Sequence, residues 1–224
     1  MSFAQRLSEI RGRIGEAAVR SKRNPAAITL LAVSKTFPPF SIQEAYDCGL
    51  RLFAENRIQE SLEKIPSLPL DIQWHLIGQI QTNKINKMLG KFALVHSIDS
   101  MELAGALSRR LQGNPQDVLI EVNTSGEKTK SGFDPAMCRE AVHQITLLPG
   151  LNLRGLMTVG PLTEDSNSPR KSFKTLKRLF DQSAQLIGPG FDILSMGMSG
   201  DFETAIEEGS TLVRIGSALF GNRR

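Results

Sequence analysis

Short apolar runs rich in branched residues recur along the chain, and each of the first seven is followed by a segment of helical periodicity. The runs are "ITLLAVSK" (28–35), "LRLFAEN" (50–56), "IQWHLIG" (72–78), "FALVHSID" (92–99), "DVLIEVN" (117–123), "LNLRGLMTVG" (151–160), "FDILSMGMS" (191–199) and "TLVRIGSALFG" (211–221). Stretches such as "RIQESLEKI", "PAMCREAVHQITLL" and "RKSFKTLKRLFDQSAQLI" separate them. Such alternation predicts parallel strands joined by right-handed helical crossovers. About eight repeats in 224 residues predict an α/β protein that closes into one (β/α)8 TIM barrel, with an open doubly wound sheet as the alternative. A single domain is expected, with an additional N-terminal helix over residues 1–24 and the barrel over 25–224.

The opening segment, "MSFAQRLSEIRGRIGEAAVR", sets Phe3, Leu7, Ile10 and Ile14 on one helical face. It is arginine-rich like a transit peptide, but Glu9 and Glu16 interrupt the basic face, so a packed helix covering one end or side of the barrel is expected. No apolar stretch reaches the length of a signal peptide or a membrane span, which predicts a cytoplasmic protein without membrane contact. A formal net charge of +4 would permit nucleic-acid binding, but aromatic residues are only 6% and no stacking motif is present. Anionic small molecules are the better partner. Cys48 and Cys138 belong to no CxxC or Cys/His cluster, which argues against a disulfide framework or a metal site and for a reducing compartment. A self-contained barrel without an obvious apolar patch is expected to be a monomer.

Barrels keep ligands at the C-terminal ends of their strands, with phosphate often held by the loops after strands seven and eight. Here those loops read "SMGMSGD" and "RIGS". Ser199 and Gly200 in the first, and Gly216 and Ser217 in the second, offer backbone N–H groups and hydroxyls to a dianion. Lys35 ends the first strand on the same face as Val33 and Leu31, which places its amine at the mouth if that face is the barrel interior. Desolvation and a neighbouring Arg214 would favour the neutral, nucleophilic amine that Schiff-base chemistry needs. A lysine beside a phosphate cup points to pyridoxal phosphate.

Other residues have plainer readings. His75 in "WHLIG" reads as a hydrogen-bonded structural histidine, with an acid or base at the rim as the alternative. Lys130 lies in "NTSGEKTKSGF", which reads as a mobile solvated loop, or else as a lid or a second, noncovalent phosphate or cofactor-handling site. Arg170, Lys171, Lys174, Lys177 and Arg178 read as the wet face of a helix whose Phe173, Leu176 and Phe180 face inward, with partner docking as the alternative. Asp99 with Glu102 reads as a helix cap.

The stretches "LLAVSKTFP", "FAENRIQE", "WHLIGQIQTNK", "GLMTVGP" and "SMGMSGDFETAIEEGSTLVRIGSALFG" resemble the pyridoxal phosphate homeostasis protein family nearly end to end. The resemblance implies the fold of the N-terminal barrel of bacterial alanine racemase and pyridoxal 5'-phosphate held as an internal aldimine on Lys35. It also implies a role in vitamin B6 and amino-acid homeostasis without clear catalytic turnover. Matched position by position, Asn56 lies beside the cofactor ring, Ser199, Gly200, Gly216 and Ser217 form the phosphate cup, Arg214 faces the pyridine nitrogen, and Met157 lines the pocket. Two positions depart from the family pattern: Ala54 where glycine is usual, and Ser217 where threonine is common.

A permanently charged guanidinium opposes protonation of the ring nitrogen, so the electron sink is weak. Racemases with this arrangement use a second base from another domain or subunit. Here the only tyrosine, Tyr46, falls in the helix after strand one, away from the expected mouth. The sequence therefore favours a protein that holds the cofactor and passes it to apo-enzymes or buffers it. A fold-type III amino-acid racemase and a cofactor-responsive interaction module remain as alternatives.

Overall fold

A computed structural model describes residues 1–111, 113–127, 129–161 and 167–221. Its centre is a closed, all-parallel barrel of eight strands in sequence order, so the open-sheet alternative is set aside. The strands are β1 (Thr29–Val33), β2 (Leu52–Glu55), β3 (Gln73–Leu76), β4 (Leu94–Ile98), β5 (Gln116–Glu121), β6 (Leu151–Met157), β7 (Ile193–Ser195) and β8 (Leu212–Ile215). Closure comes from β1 against β8, where Leu31 pairs with Arg214 and Ala32 with Ile215. The helices are α1 (Phe3–Arg20), α2 (Pro39–Asp47), α3 (Ile58–Lys64), α4 (Ile85–Met88), α5 (Met101–Ser108), α6 (Cys138–Thr146), α7 (Asn167–Ile187), α8 (Phe202–Glu207) and α9 (Ser217–Phe220). Residues 222–224 of the predicted barrel span lie outside the described residues.

The core is layered as strand alternation requires. Outward residues such as Phe53, Val95 and Ile120 pack beneath the helices. Inward residues form two smaller clusters, one of Leu31, Val33, Ala54 and Leu212 and one of Leu94, Leu119 and Met157. Ala54 spends its methyl group on that inner packing.

The expected apolar face of α1 is buried, with Phe3, Leu7, Ile10 and Ile14 between 1% and 6% exposed. Removing each of these side chains from water is worth about 1.5–3 kcal/mol. Ser2 caps the helix and forms a reciprocal capping box with Gln5. α1 packs against α8, α9 and α2. Arg13 forks onto Glu203 with both bonds at 2.9 Å, and Arg6 Nε donates to Leu219 O at 2.5 Å. Only the four-residue α9 follows β8 among the described residues, and α1 takes the outer position that a helix after β8 would otherwise fill.

Two local expectations change. The α5 cap oxygen comes from Ser100, which accepts from Leu103 N–H at 3.3 Å, while Asp99 sits one residue outside and accepts from Ser100 Oγ. A serine at the first extended position outcompetes the preceding carboxylate because its oxygen reaches the third helical amide. The segment after β3 forms only a single turn of 3-10 helix and the four-residue α4.

The β5–β6 ladder shifts by one residue between Val118↔Leu153 and Leu119↔Gly155. At Gly155 an added Cβ would fall 1.8 Å from Ile193 O, on backbone that the β6–β7 pairing fixes. Gly155→Ala is therefore expected to lower unfolding free energy by about 2 kcal/mol or more in denaturant titration. A loss under about 0.5 kcal/mol would show that this strand can slide.

Candidate functional site

Parallel closure brings the C-terminal ends of all eight strands to one mouth. Beyond β1, Ser34 points outward and Lys35 returns to the interior side, continuing the face of Leu31 and Val33. A cavity of about 480 Å³ there is lined by Lys35, Ser199, Gly200, Arg214, Gly216 and Ser217. A neighbouring cavity of about 340 Å³ shares Lys35, Ile77, Met198 and Arg214 with it and extends to Asn56, Glu121 and Met157. Every residue expected at the site from sequence thus lines one continuous mouth.

The loops after β7 and β8 face each other across that mouth. Ser199 Oγ accepts from Ala218 N–H at 3.3 Å and ties them together. Asp201 Oδ1 accepts from Met198 N–H at 2.6 Å, which fixes the first of the two turns. Among the described residues, the amides of Ser199, Gly200, Gly216 and Ser217 have no acceptor. Gly216 also lets the backbone pass close to β1, since an added Cβ would lie 3.3 Å from Val33 O. Clustered amides without partners make a site for an anion.

Arg214 forms the floor and is 3% exposed. Its Nη1 donates to Ser195 Oγ at 2.7 Å and its Nη2 to Thr158 O at 2.8 Å. Burial pulls its pKa down to about 10 against the opposing charges of Glu121 and Asp201, so it stays a cation at neutral pH. Ser195 Oγ also lies 3.1 Å from His96 Nδ1, and His96 Nε2 lies 3.0 Å from His75 Nδ1. A polar column therefore runs down the barrel from the mouth. His75 is not at the rim; it lines a cavity at the other end of the barrel with Asp117, Arg154 and Asp192. Burial lowers the His75 pKa to about 4, and burial, followed by the neighbouring His75 and Arg214, holds that of His96 well below its ordinary value. Both rings are neutral at pH 7, in keeping with the structural reading.

Glu121, unmarked by sequence reasoning, is the main addition to the site. It ends β5, is 8% exposed and faces the mouth near Met157. Burial, with the negative charge of Asp99, pushes its carboxyl up to about 7 against the pull of Arg214. The available signal was a carboxylate in "VLIEVN" with the same parity as the inward Leu119. Asn56 Oδ1 is buried and has no partner among the described residues. Gly78 crosses directly beside it: an added Cβ would fall 2.0 Å from Asn56 O.

Lys130 is tied down rather than solvated. Its Nζ donates to Glu127 Oε1 and Gly160 O, both at 2.8 Å, while Asn123 Nδ2 holds the loop backbone at Glu127 O and Lys130 O. Among the described residues of this loop, these bonds set Lys130 against the wall of the mouth. On α7, Phe173 and Leu176 are fully buried, and the basic residues face outward in part as ion pairs, Arg170 with Glu207 and Glu208 and Lys177 with Asp181. Tyr46 Oη donates to Asp71 Oδ1 at 2.7 Å, at the barrel end opposite the mouth.

Fold and site together define a (β/α)8 barrel that carries a lysine, a buried arginine and a set of anion-ready amides at one mouth. A family profile described as "Alanine racemase, N-terminal domain" matches residues 16–224. A pyridoxal phosphate homeostasis protein of Aquifex aeolicus is 44% identical, with 100% of both chains covered. That of Escherichia coli is 41% identical over 99% of this chain and 97% of its own. Among solved structures, an unknown protein of Bifidobacterium adolescentis superposes with TM-score 0.92 at 38% identity, covering 97% of this chain and 94% of that one. PipY of Synechococcus elongatus with pyridoxal phosphate bound superposes at 0.80 and 35%, covering 98% and 100%. Alanine racemase of Clostridium difficile shares the fold at TM-score 0.76 and 15% identity, with 54% of its chain covered. The chain belongs to the alanine racemase N-terminal domain family and, within it, to the pyridoxal phosphate homeostasis proteins.

Glu121 gives the site a measurable pH signature. The folded carboxyl keeps its proton to about pH 7, whereas an unperturbed glutamate loses it near 4.5. The native state then binds more protons between those values, so this contribution to stability is complete below pH 4.5 and is lost as pH rises through 7. Glu121→Gln, which cannot ionise, is expected to gain about 3 kcal/mol relative to the parent between pH 4.5 and 8 in denaturant unfolding. A difference that stays constant with pH would contradict the assigned environment.

Proposed function

We propose that this chain holds pyridoxal 5'-phosphate at the barrel mouth, covalently through Lys35, and serves in intracellular cofactor homeostasis rather than in turnover. The observation that carries the reading is the convergence on one mouth of Lys35, Arg214 and the amides of Ser199, Gly200, Gly216 and Ser217, which have no acceptor among the described residues. The names of the relatives, and the pyridoxal phosphate bound to PipY, support it. The residues fit the group: the amides suit a phosphate, the orphaned Asn56 Oδ1 awaits a donor, and Met157 offers an apolar contact.

When bound, the cofactor would supply an aldehyde for the Lys35 amine, with water as the leaving product. The chain's own groups do the rest. Ser199, Gly200, Gly216 and Ser217 hold the phosphate without a side chain in the way. Arg214, locked by Ser195 and Thr158, would present a fixed cation to the ring nitrogen and oppose its protonation. The neutral His96 behind Ser195 adds no charge to that arrangement. A second base is needed for two-base racemisation, and the tyrosine that could have served, Tyr46, points away from the mouth toward Asp71. In this reading the protein is a single-domain monomer of the cytoplasm that buffers the cofactor and hands it to apo-enzymes. Among the described residues no helix is long and apolar enough to cross a membrane.

Purified protein incubated with pyridoxal phosphate is expected to develop a visible absorption band that borohydride abolishes, with the reduced adduct mapped to the Lys35 peptide. Lys35→Ala should lose both band and adduct, and neither protein should racemise alanine above the free-cofactor rate. An adduct on another lysine, or none, would overturn the covalent assignment.

A further inference from the structure

Lys35 sits inside a tight turn that its sequence does not favour. Phe37 N–H donates to Ser34 O at 3.0 Å, closing the turn, and Thr36 occupies its third position at φ 70°. Turns with positive φ at that position normally place glycine or asparagine there, and a β-branched residue in the left-handed region is strained. Lys22 is the other non-glycine described with positive φ, and it lies at the end of α1, far in sequence from the site.

A buried charged cluster grips the turn from behind. Lys64 on α3 is 7% exposed, and its Nζ donates to Ser34 O at 3.1 Å, to Glu55 Oε1 at 3.0 Å and to Glu60 Oε1 at 2.6 Å. The same Glu60 oxygen accepts from Thr36 N–H at 2.5 Å. Ser34 Oγ adds a bond of 2.7 Å to Glu55 Oε1. The peptide groups on either side of Lys35 are thus held by the two ends of one ion pair, on the outer side of β1 and β2, while the Lys35 side chain faces the mouth. Burial raises the Glu55 pKa; it also opposes ionisation of Glu60, but the bonds from Lys64 and Thr36 outweigh it and hold Glu60 below its ordinary value.

We propose that Glu60 and Lys64 are positioning residues that clamp the strained Ser34–Phe37 turn and thereby aim the Lys35 amine for covalent capture of the cofactor. The inference rests on the reading of Lys35 given under Proposed function. Strain held by surrounding contacts is a means of pre-organising a reacting group. A displacement of the amine by about 1 Å costs roughly a hundredfold in such a reaction, so loss of the clamp acts on capture rather than on docking of the phosphate.

The test separates capture from docking. Capture is the rate of borohydride-trapped pyridoxal phosphate on the Lys35 peptide. Docking is the dissociation constant of pyridoxine 5'-phosphate, which has an alcohol in place of the aldehyde. Glu60→Ala is expected to slow capture at least about tenfold while docking stays within about twofold, and Glu60→Gln, which keeps an oxygen toward Thr36 N–H, should recover most of the rate. If Glu60→Ala does not fold, Glu60→Asp, too short to reach both Thr36 and Lys64, is expected to slow capture at least about threefold with docking unchanged. Capture at the parent rate in the folded variants would overturn the clamp, as would an equal loss of capture and docking. Failure of the underlying reading looks different, because the parent protein itself would then show no adduct on Lys35.

Discussion

The pairing of β1 with β8 is the contact on which the site depends. It closes the barrel, sets Leu31 beside Arg214, and brings the lysine at the start of the chain to the glycine-rich loop at its end. The same strand order left open would put Lys35 and Ser217 on opposite edges. Closure also removes both sheet edges and forces alternate side chains inward, so each inward polar residue needs a partner within the barrel. Arg214, Ser195, His96 and His75 meet that demand as one hydrogen-bonded column.

Charge at the mouth follows from this packing. A guanidinium almost removed from water is tolerable because two of its donors are satisfied and because Glu121 and Asp201 lie in its field. The same burial raises both of those carboxyls, so part of the negative charge around Arg214 is conditional on pH. The mouth therefore combines a fixed cation, amides without an acceptor among the described residues, and a carboxyl that titrates near neutrality. That combination suits an anionic ligand. Behind the mouth, the Glu60–Lys64 pair shows a different use of charge, as a tie between a helix and a strained turn.

Much of this was legible in the sequence, for identifiable reasons. Strands buried on both faces read as apolar runs, and α1 declared its inner face through Phe3, Leu7, Ile10 and Ile14. Lys35 and the loops after β7 and β8 stood out because polar and glycine residues at strand ends have little to do in packing. Glu121 was missed because its significance depends on which face of β5 turns inward, and the run "VLIEVN", apolar on both faces, does not show that until the barrel closes. His75 was placed at the rim as an alternative, whereas it lies deeper, paired with His96 from the next strand. Nothing in the sequence marked Lys64. Only the tertiary approach of α3 to Ser34 reveals its burial.

A crystal structure of the protein grown with pyridoxal phosphate tests the central claim most directly. The account predicts continuous density from Lys35 Nζ, with the phosphate against the amides of Ser199, Gly200, Gly216 and Ser217 and the ring nitrogen facing Arg214. Density attached elsewhere, such as at Lys130, or a phosphate away from those four amides, would contradict it.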